Sequence, residues 1–151
     1  MRLTAIERPF GGEIRTFDLP LGSQRAIEDK CRVGLGRVYG RLCSIHFATD
    51  PREYNFYVDD YRETILQGLI GGRGVKSAEA TRLVMNYVDG NPVEENAILA
   101  TEILNAWIKG IPQGKKEAPR TESETTTAPV DSTSTQSMEP EPQSVDTAPA
   151  T

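Results

Sequence analysis

Residues 67–77, "QGLIGGRGVKS", contain four glycines and end on Lys76 and Ser77, as a phosphate-cradling loop does. A P-loop requires a glycine directly before the lysine, so that backbone N–H groups wrap the phosphates while the lysine reaches the outer ones. Here Val75 precedes Lys76, and Gly74 stands one place too early. The preceding "YRETILQGLI" repeats its apolar residues at a helical period where the motif needs a strand. The stretch therefore reads as one helix stopping and another starting. Gly71 and Gly72 supply the left-handed exit of the first helix, and Ser77 caps the second.

Helical signals extend outward from this joint. Asp59 or Asp60 caps a helix in which Tyr61, Ile65, Leu66, Leu69 and Ile70 share a face. After Ser77, the inward face is Ala80, Leu83, Val84, Tyr87 and Val88. Asn91, Pro92 and Glu94 then give a cap, a first-turn proline and the third-position acid of a capping box. They open a helix with Ala97, Ile98, Leu104 and Trp107 inward, which Gly110 and Pro112 end. On the N-terminal side, "GSQRAIEDKCRVGLGRVYGRLC" has Ser23 as N-cap and glycines at 34 and 36, and predicts two short helices. "SIHFATDPREYNFYV" has a turn at Asp50–Pro51 and no regular period. Residues 2–19 predict two strands joined around Pro9, Gly11 and Gly12. An isolated hairpin is marginal in water, so this one must lie on helices or on another protein. The fold class is mainly α: a small N-terminal β-hairpin, then a bundle of about five short helices.

Composition divides the 151 residues into a compact domain at 1–110 and a tail at 111–151 rich in Thr, Ser, Pro, Glu and Ala. The tail has no aromatic residue and cannot bury enough apolar surface to offset the entropy of ordering it, so it reads as disordered. The first 110 residues hold 14 Lys and Arg against 15 Asp and Glu, and the tail three against seven, within a net charge of -5. Such a chain lacks the broad positive field behind nonspecific nucleic-acid binding. No apolar run is long enough for a membrane span, and the first residues do not have the pattern of a signal peptide. A soluble, cytoplasmic, protein-binding chain is expected.

Candidate chemistry is sparse. Cys31 and Cys43 lie in helical segments without metal spacing and read as small buried side chains. His46 is the sole histidine, in an aromatic segment, where packing explains it. Asp59 and Asp60 are accounted for by a helix start. No nucleophile has a base to activate it, so catalytic, cofactor and metal sites are all expected to be absent.

Three blocks carry a family resemblance: "LPLGSQRAIEDKCRVGLGRVYGRL" at 19–42, "YRETILQGLIGG" at 61–72 and "YVDGNPVEENAILATEILNAWIKG" at 87–110. Together they resemble the tail assembly chaperone family of gene transfer agents and siphophages, sometimes described as a tail tube protein of gene transfer agents. Gly22 and Glu28 match its first helix, Gln67–Gly72 its helix end, and Tyr87–Pro92 its later turn. Residues 43–58 are longer and more aromatic than the connection usual in the family, and the acidic tail has no counterpart in its compact members.

The resemblance implies a tail assembly chaperone that binds the long helical tape-measure protein and recruits major tail tube subunits, with self-association into a homo-oligomer left open. An apolar stripe on a long helix would be held by anchors at helical spacing. The partner surface is expected at Phe47, Phe56 and Tyr57, together with the hairpin around Phe17; the alternative is that these aromatics close the core. The tail would act as a mobile acidic arm or as a solvated linker. Two other functions compete. A structural tail component would require exposed sheet edges, and a small DNA-binding regulator would need more basic residues than the Arg82 of "SAEATRLVMNYV".

Overall fold

The computed structural model describes residues 3–112; the tail expected at 111–151 lies almost wholly outside the described residues. Strands β1 (Ile6–Phe10) and β2 (Glu13–Phe17) form an antiparallel hairpin. Helices α1 (Leu21–Cys31), α2 (Leu35–Leu42), α3 (Ser44–Phe47), α4 (Val58–Gly71), α5 (Ser77–Tyr87) and α6 (Val93–Lys109) follow, with a 3-10 turn at Pro51–Glu53. The mainly helical architecture with one N-terminal hairpin is thus the one the sequence predicts.

The hairpin turns on Gly11 and Gly12, with φ of 65° and 86°. Two successive positive φ angles make the turn whose twist matches that of the strands. It closes on the pair Phe10↔Glu13, so hydrogen-bonded pairs fall at Phe10, Arg8 and Ile6, and Glu7 and Pro9 point their backbone groups outward. Both edges are blunted. Pro9 offers no N–H on the β1 side, and the Glu7 carbonyl accepts from Arg8 Nη1 at 2.9 Å.

The β2 side is closed by the end of α4. A Cβ at Gly72 would meet Thr16 O, and one at Gly71 would meet Asp18 O, each well under 3.0 Å. This corrects the sequence-based role of the glycine pair. Gly71 is helical and Gly72 has φ -86°, so neither needs left-handed backbone. The positive angles fall later, at Arg73 and Gly74. What Gly71 and Gly72 provide is the absence of a side chain where a helix lies on a strand's backbone.

α4 packs against α1, α5, α6 and β2 at the centre of the domain. Phe17, Ile27, Val38, Leu42, Ile65, Leu69 and Leu104 are fully buried. The inward faces read from the period of α4, α5 and α6 hold, except that Tyr87 is 46% exposed and its ring lies edge-on to Phe10 at 5.9 Å.

Helix starts depart from the sequence reading by one to three residues. α1 begins at Leu21 after Pro20, whose fixed φ of -66° sets the entry, and Ser23 is buried inside it. α5 begins on Ser77, with Lys76 at the cap position. α6 begins at Val93 after Pro92, while Asn91 Nδ2 donates backward to Asn86 O and Asp89 O. Between α1 and α2, Arg32 takes φ 61°, and the Glu28 carboxylate crosses the joint to accept from Leu35 N at 2.9 Å.

Arg62 on α4 donates through Nε and Nη2 to Asp89 at 2.7 and 2.9 Å, tying the central helix to the turn before α6. The guanidinium holds the Asp89 carboxyl below its usual range. A carboxyl depressed in the fold contributes stability above its unfolded pKa, and the contribution disappears as pH falls through the folded value. Thermal midpoints of the wild type should therefore fall more steeply than those of Asp89→Asn below about pH 4. The difference is expected to stay under about 1 kcal/mol, because Asp89 is partly exposed and screened.

Candidate functional site

The irregular segment 43–58 is ordered by a small set of polar contacts. Asp50 Oδ1 accepts from Arg52 N at 2.8 Å and the Glu53 carboxylate accepts from Asp50 N at 3.2 Å, which makes the capping box of the 3-10 turn. Ser44 Oγ accepts from Asn55 N at 3.0 Å, so the returning chain lies against α3. Asp60 accepts from Tyr57 N at 2.9 Å. It sits at the third position of α4 and reaches back to the residue before the helix, with Tyr57 at the cap position that was expected at Asp59 or Asp60.

Asp60 also fixes Arg41. Its side chain is 1% exposed and accepts from Arg41 Nε at 2.8 Å and Nη2 at 2.5 Å, a two-pronged pair between α2 and α4. The guanidinium lies 4.9 Å from the centre of the Tyr57 ring. A cation over an aromatic face is attracted by the ring quadrupole, so Tyr57 is held against Arg41 with its outer face to solvent.

The four residues expected to bind a partner separate. Phe47 is 80% exposed and Tyr57 66% exposed, with Val58 beside it at 60%. Phe56 is half-buried, stacked on Tyr54 at 5.2 Å and edge-on to Tyr61 at 6.0 Å. Phe17 is 0% exposed and belongs to the core, under Gly68, so the placement of a partner surface on the hairpin around Phe17 is corrected. Its position facing α4 at the end of β2 is the physical reason: a hairpin that must bury one face puts its largest inward ring there. Arg41 escaped the sequence reading because its partner Asp60 lies 19 positions away.

Beside the aromatics runs a shallow shelf. One depression is lined by Gly36, Arg37, Gly40, Arg41 and Asn55, and a second, of about 320 Å³, by Gly40, Ser44, Phe47, Glu53 and Asn55 among others. The two share Gly40 and Asn55, so they form one continuous surface. His46 is exposed on α3. Burial, reinforced by the neighbouring Asp60 carboxylate, pushes the Cys31 thiol up to about 12, which makes it a poor nucleophile. Among the described residues no group of three His, Cys, Asp or Glu side chains is placed to hold a metal ion, and no helix is long and apolar enough to cross a membrane. The arrangement offers a surface for contact.

No curated protein and no solved structure matches the chain. A family model described as "Phage tail tube protein, GTA-gp10" matches residues 4–110, which takes in the hairpin and every helix of the fold. With that match across most of its length, the chain belongs to the GTA-gp10 family of phage tail tube proteins.

Proposed function

We propose that the chain works in the tail of a gene-transfer-agent-like or siphophage-like particle as a tail tube-associated component, through contact with other tail proteins. The family match over residues 4–110 is the observation that carries this reading. The shelf with Phe47 and Tyr57 supplies a surface of the right kind. Tyr57, held against the Arg41 guanidinium, has little entropy left to lose, and exposed aromatic side chains are among the residues that dominate protein interfaces. The major tail tube protein is the partner this reading implies, with assembly in the bacterial host cytoplasm.

A second reading is a transient assembly chaperone that covers the apolar stripe of the tape-measure protein. The hairpin favours it: the two-stranded sheet is the sole sheet among the described residues, and both its edges are blunted, by Pro9 and by the end of α4. Such a sheet offers little to a neighbour seeking to extend it.

Mass spectrometry of purified particles separates the two. A tail component is expected in stoichiometric amount, whereas a chaperone is present in the assembling cell and absent from the particle. Phe47→Ser combined with Tyr57→Ser, both at exposed positions, should weaken co-purification with tail proteins at least about tenfold while leaving the helical circular dichroism intact. Undiminished co-purification by that folded variant would remove the segment from the contact surface.

A further inference from the structure

We infer that Asp60 is a positioning residue for the contact surface: buried beneath it and touching no partner, its carboxylate holds Tyr57, Arg41 and the returning chain in the pose that binds. The inference rests on reading segment 43–58 as a protein-contact surface, and it deepens that reading by naming what sets its affinity.

One carboxylate joins α1, α2 and the residue before α4 to the start of α4. Asp60 Oδ2 accepts from Arg41 Nε at 2.8 Å and from Tyr57 N at 2.9 Å, and Oδ1 accepts from Arg41 Nη2 at 2.5 Å. The Cys31 thiol, at the end of α1, is a further hydrogen-bond partner of the same side chain. All of these meet on a side chain that is 1% exposed. The frame continues outward through the main chain of Arg41. Ser44 Oγ donates to the Arg41 carbonyl at 2.8 Å and accepts from Asn55 N at 3.0 Å, and Asn55 lines both depressions of the shelf. The guanidinium itself lies 4.9 Å from the centre of the Tyr57 ring.

Stability is a weak reason for such a pair. Taking two charges out of water costs about what their attraction returns, and apolar residues of like size in their place are often neutral or better. What apolar side chains would not supply is geometry, because a forked donor fixes both the direction and the distance of what it holds. The chain between α3 and α4 needs an anchor of this kind. It has the 3-10 turn Pro51–Glu53 as its one regular element, so no ladder or long helix sets its path. An aromatic residue whose backbone and ring are both placed before contact loses little freedom on binding, and the ordering cost avoided appears as affinity.

Arg41→Met combined with Asp60→Leu tests this, because removing both charges restores stability without restoring the frame. In the full chain the thermal midpoint should return close to that of the wild type. The Asn55 amide, which touches neither substituted side chain, should nevertheless exchange with solvent at least about fivefold faster. Binding to purified major tail tube protein, followed by biolayer interferometry, should weaken at least about tenfold. Arg41→Lys keeps the counter-charge and hence the fold, gives up the fork, and should bind severalfold more weakly. A folded double variant with wild-type exchange at Asn55 overturns the inference, as does one that exchanges faster yet binds the tube protein as the wild type does. If the double variant does not fold, Arg41→Lys decides, and binding equal to the wild type overturns the inference. A wild type that does not bind the tube protein removes that partner from the proposed function, while the exchange comparison needs no partner and still decides whether Asp60 holds the segment.

Discussion

Gly72→Ala should cost about 3 kcal/mol or more and lower the melting temperature by roughly 15 °C, measured by chemical and thermal unfolding followed by circular dichroism. The added Cβ would meet Thr16 O, Thr16 C and Phe17 N, all backbone atoms of β2. A long side chain could swing aside, but a strand pinned by its pairing with β1 cannot move without shifting Phe17 out of the core. Gly71→Ala should behave alike, through Asp18 O and Pro20 Cδ. Gly22→Ala is the control, since its Cβ meets nothing within 4 Å inside α1. There the gain in helix propensity should stabilise the protein by about 0.5–1 kcal/mol. If all three variants unfold together, the close approach of α4 to β2 is not what these glycines serve.

Arg41→Met is the second large effect, expected at about 3 kcal/mol. Removing the guanidinium leaves the Asp60 carboxylate buried with the Tyr57 backbone N–H and the Cys31 thiol as neutral partners, and a buried charge stripped of its counter-ion is far costlier than the pair is favourable. The variant also frees the Tyr57 ring from the cation beneath it. Adding Asp60→Leu should recover much of the lost stability, because the stranded charge goes with it. An Arg41→Met protein as stable as the wild type in urea would show that the pair contributes nothing net.

Most of the fold was legible in the sequence, for identifiable reasons. Ile65, Leu69, Leu83, Val84, Ala97 and Leu104 repeat at helical spacing because each faces the one core, and burial makes that period visible. The P-loop was excluded by Val75 standing before Lys76 and by the helical period of the residues that precede the glycines. Caps were less legible. Ser23, Ser77 and Asn91 have the chemistry of cap residues, yet each helix starts where Pro20, Lys76 or Pro92 sets an extended backbone. The glycine pair was read as a local device, although its necessity is tertiary: Thr16 and Asp18 lie more than fifty positions away.

The candidate site was legible only in part. Segment 43–58 was recognised as aromatic, and Phe47 and Tyr57 are the exposed members of it. Nothing in the pattern distinguished them from Phe17 and Phe56, because an aromatic in a short strand or an irregular loop has no period to say which way it points. Arg41 could not be found at all without knowing that α2 and α4 meet.

The seam between the end of α4 and β2 has a kinetic side. Its two halves are distant along the chain, so the closure entropy of a long loop must be met before the contact forms. Once seated, main chain lies on main chain without side chains to loosen one by one. Hairpin and helix bundle therefore unlatch as a single cooperative unit, and anything pulling on the hairpin works against the stability of the whole domain.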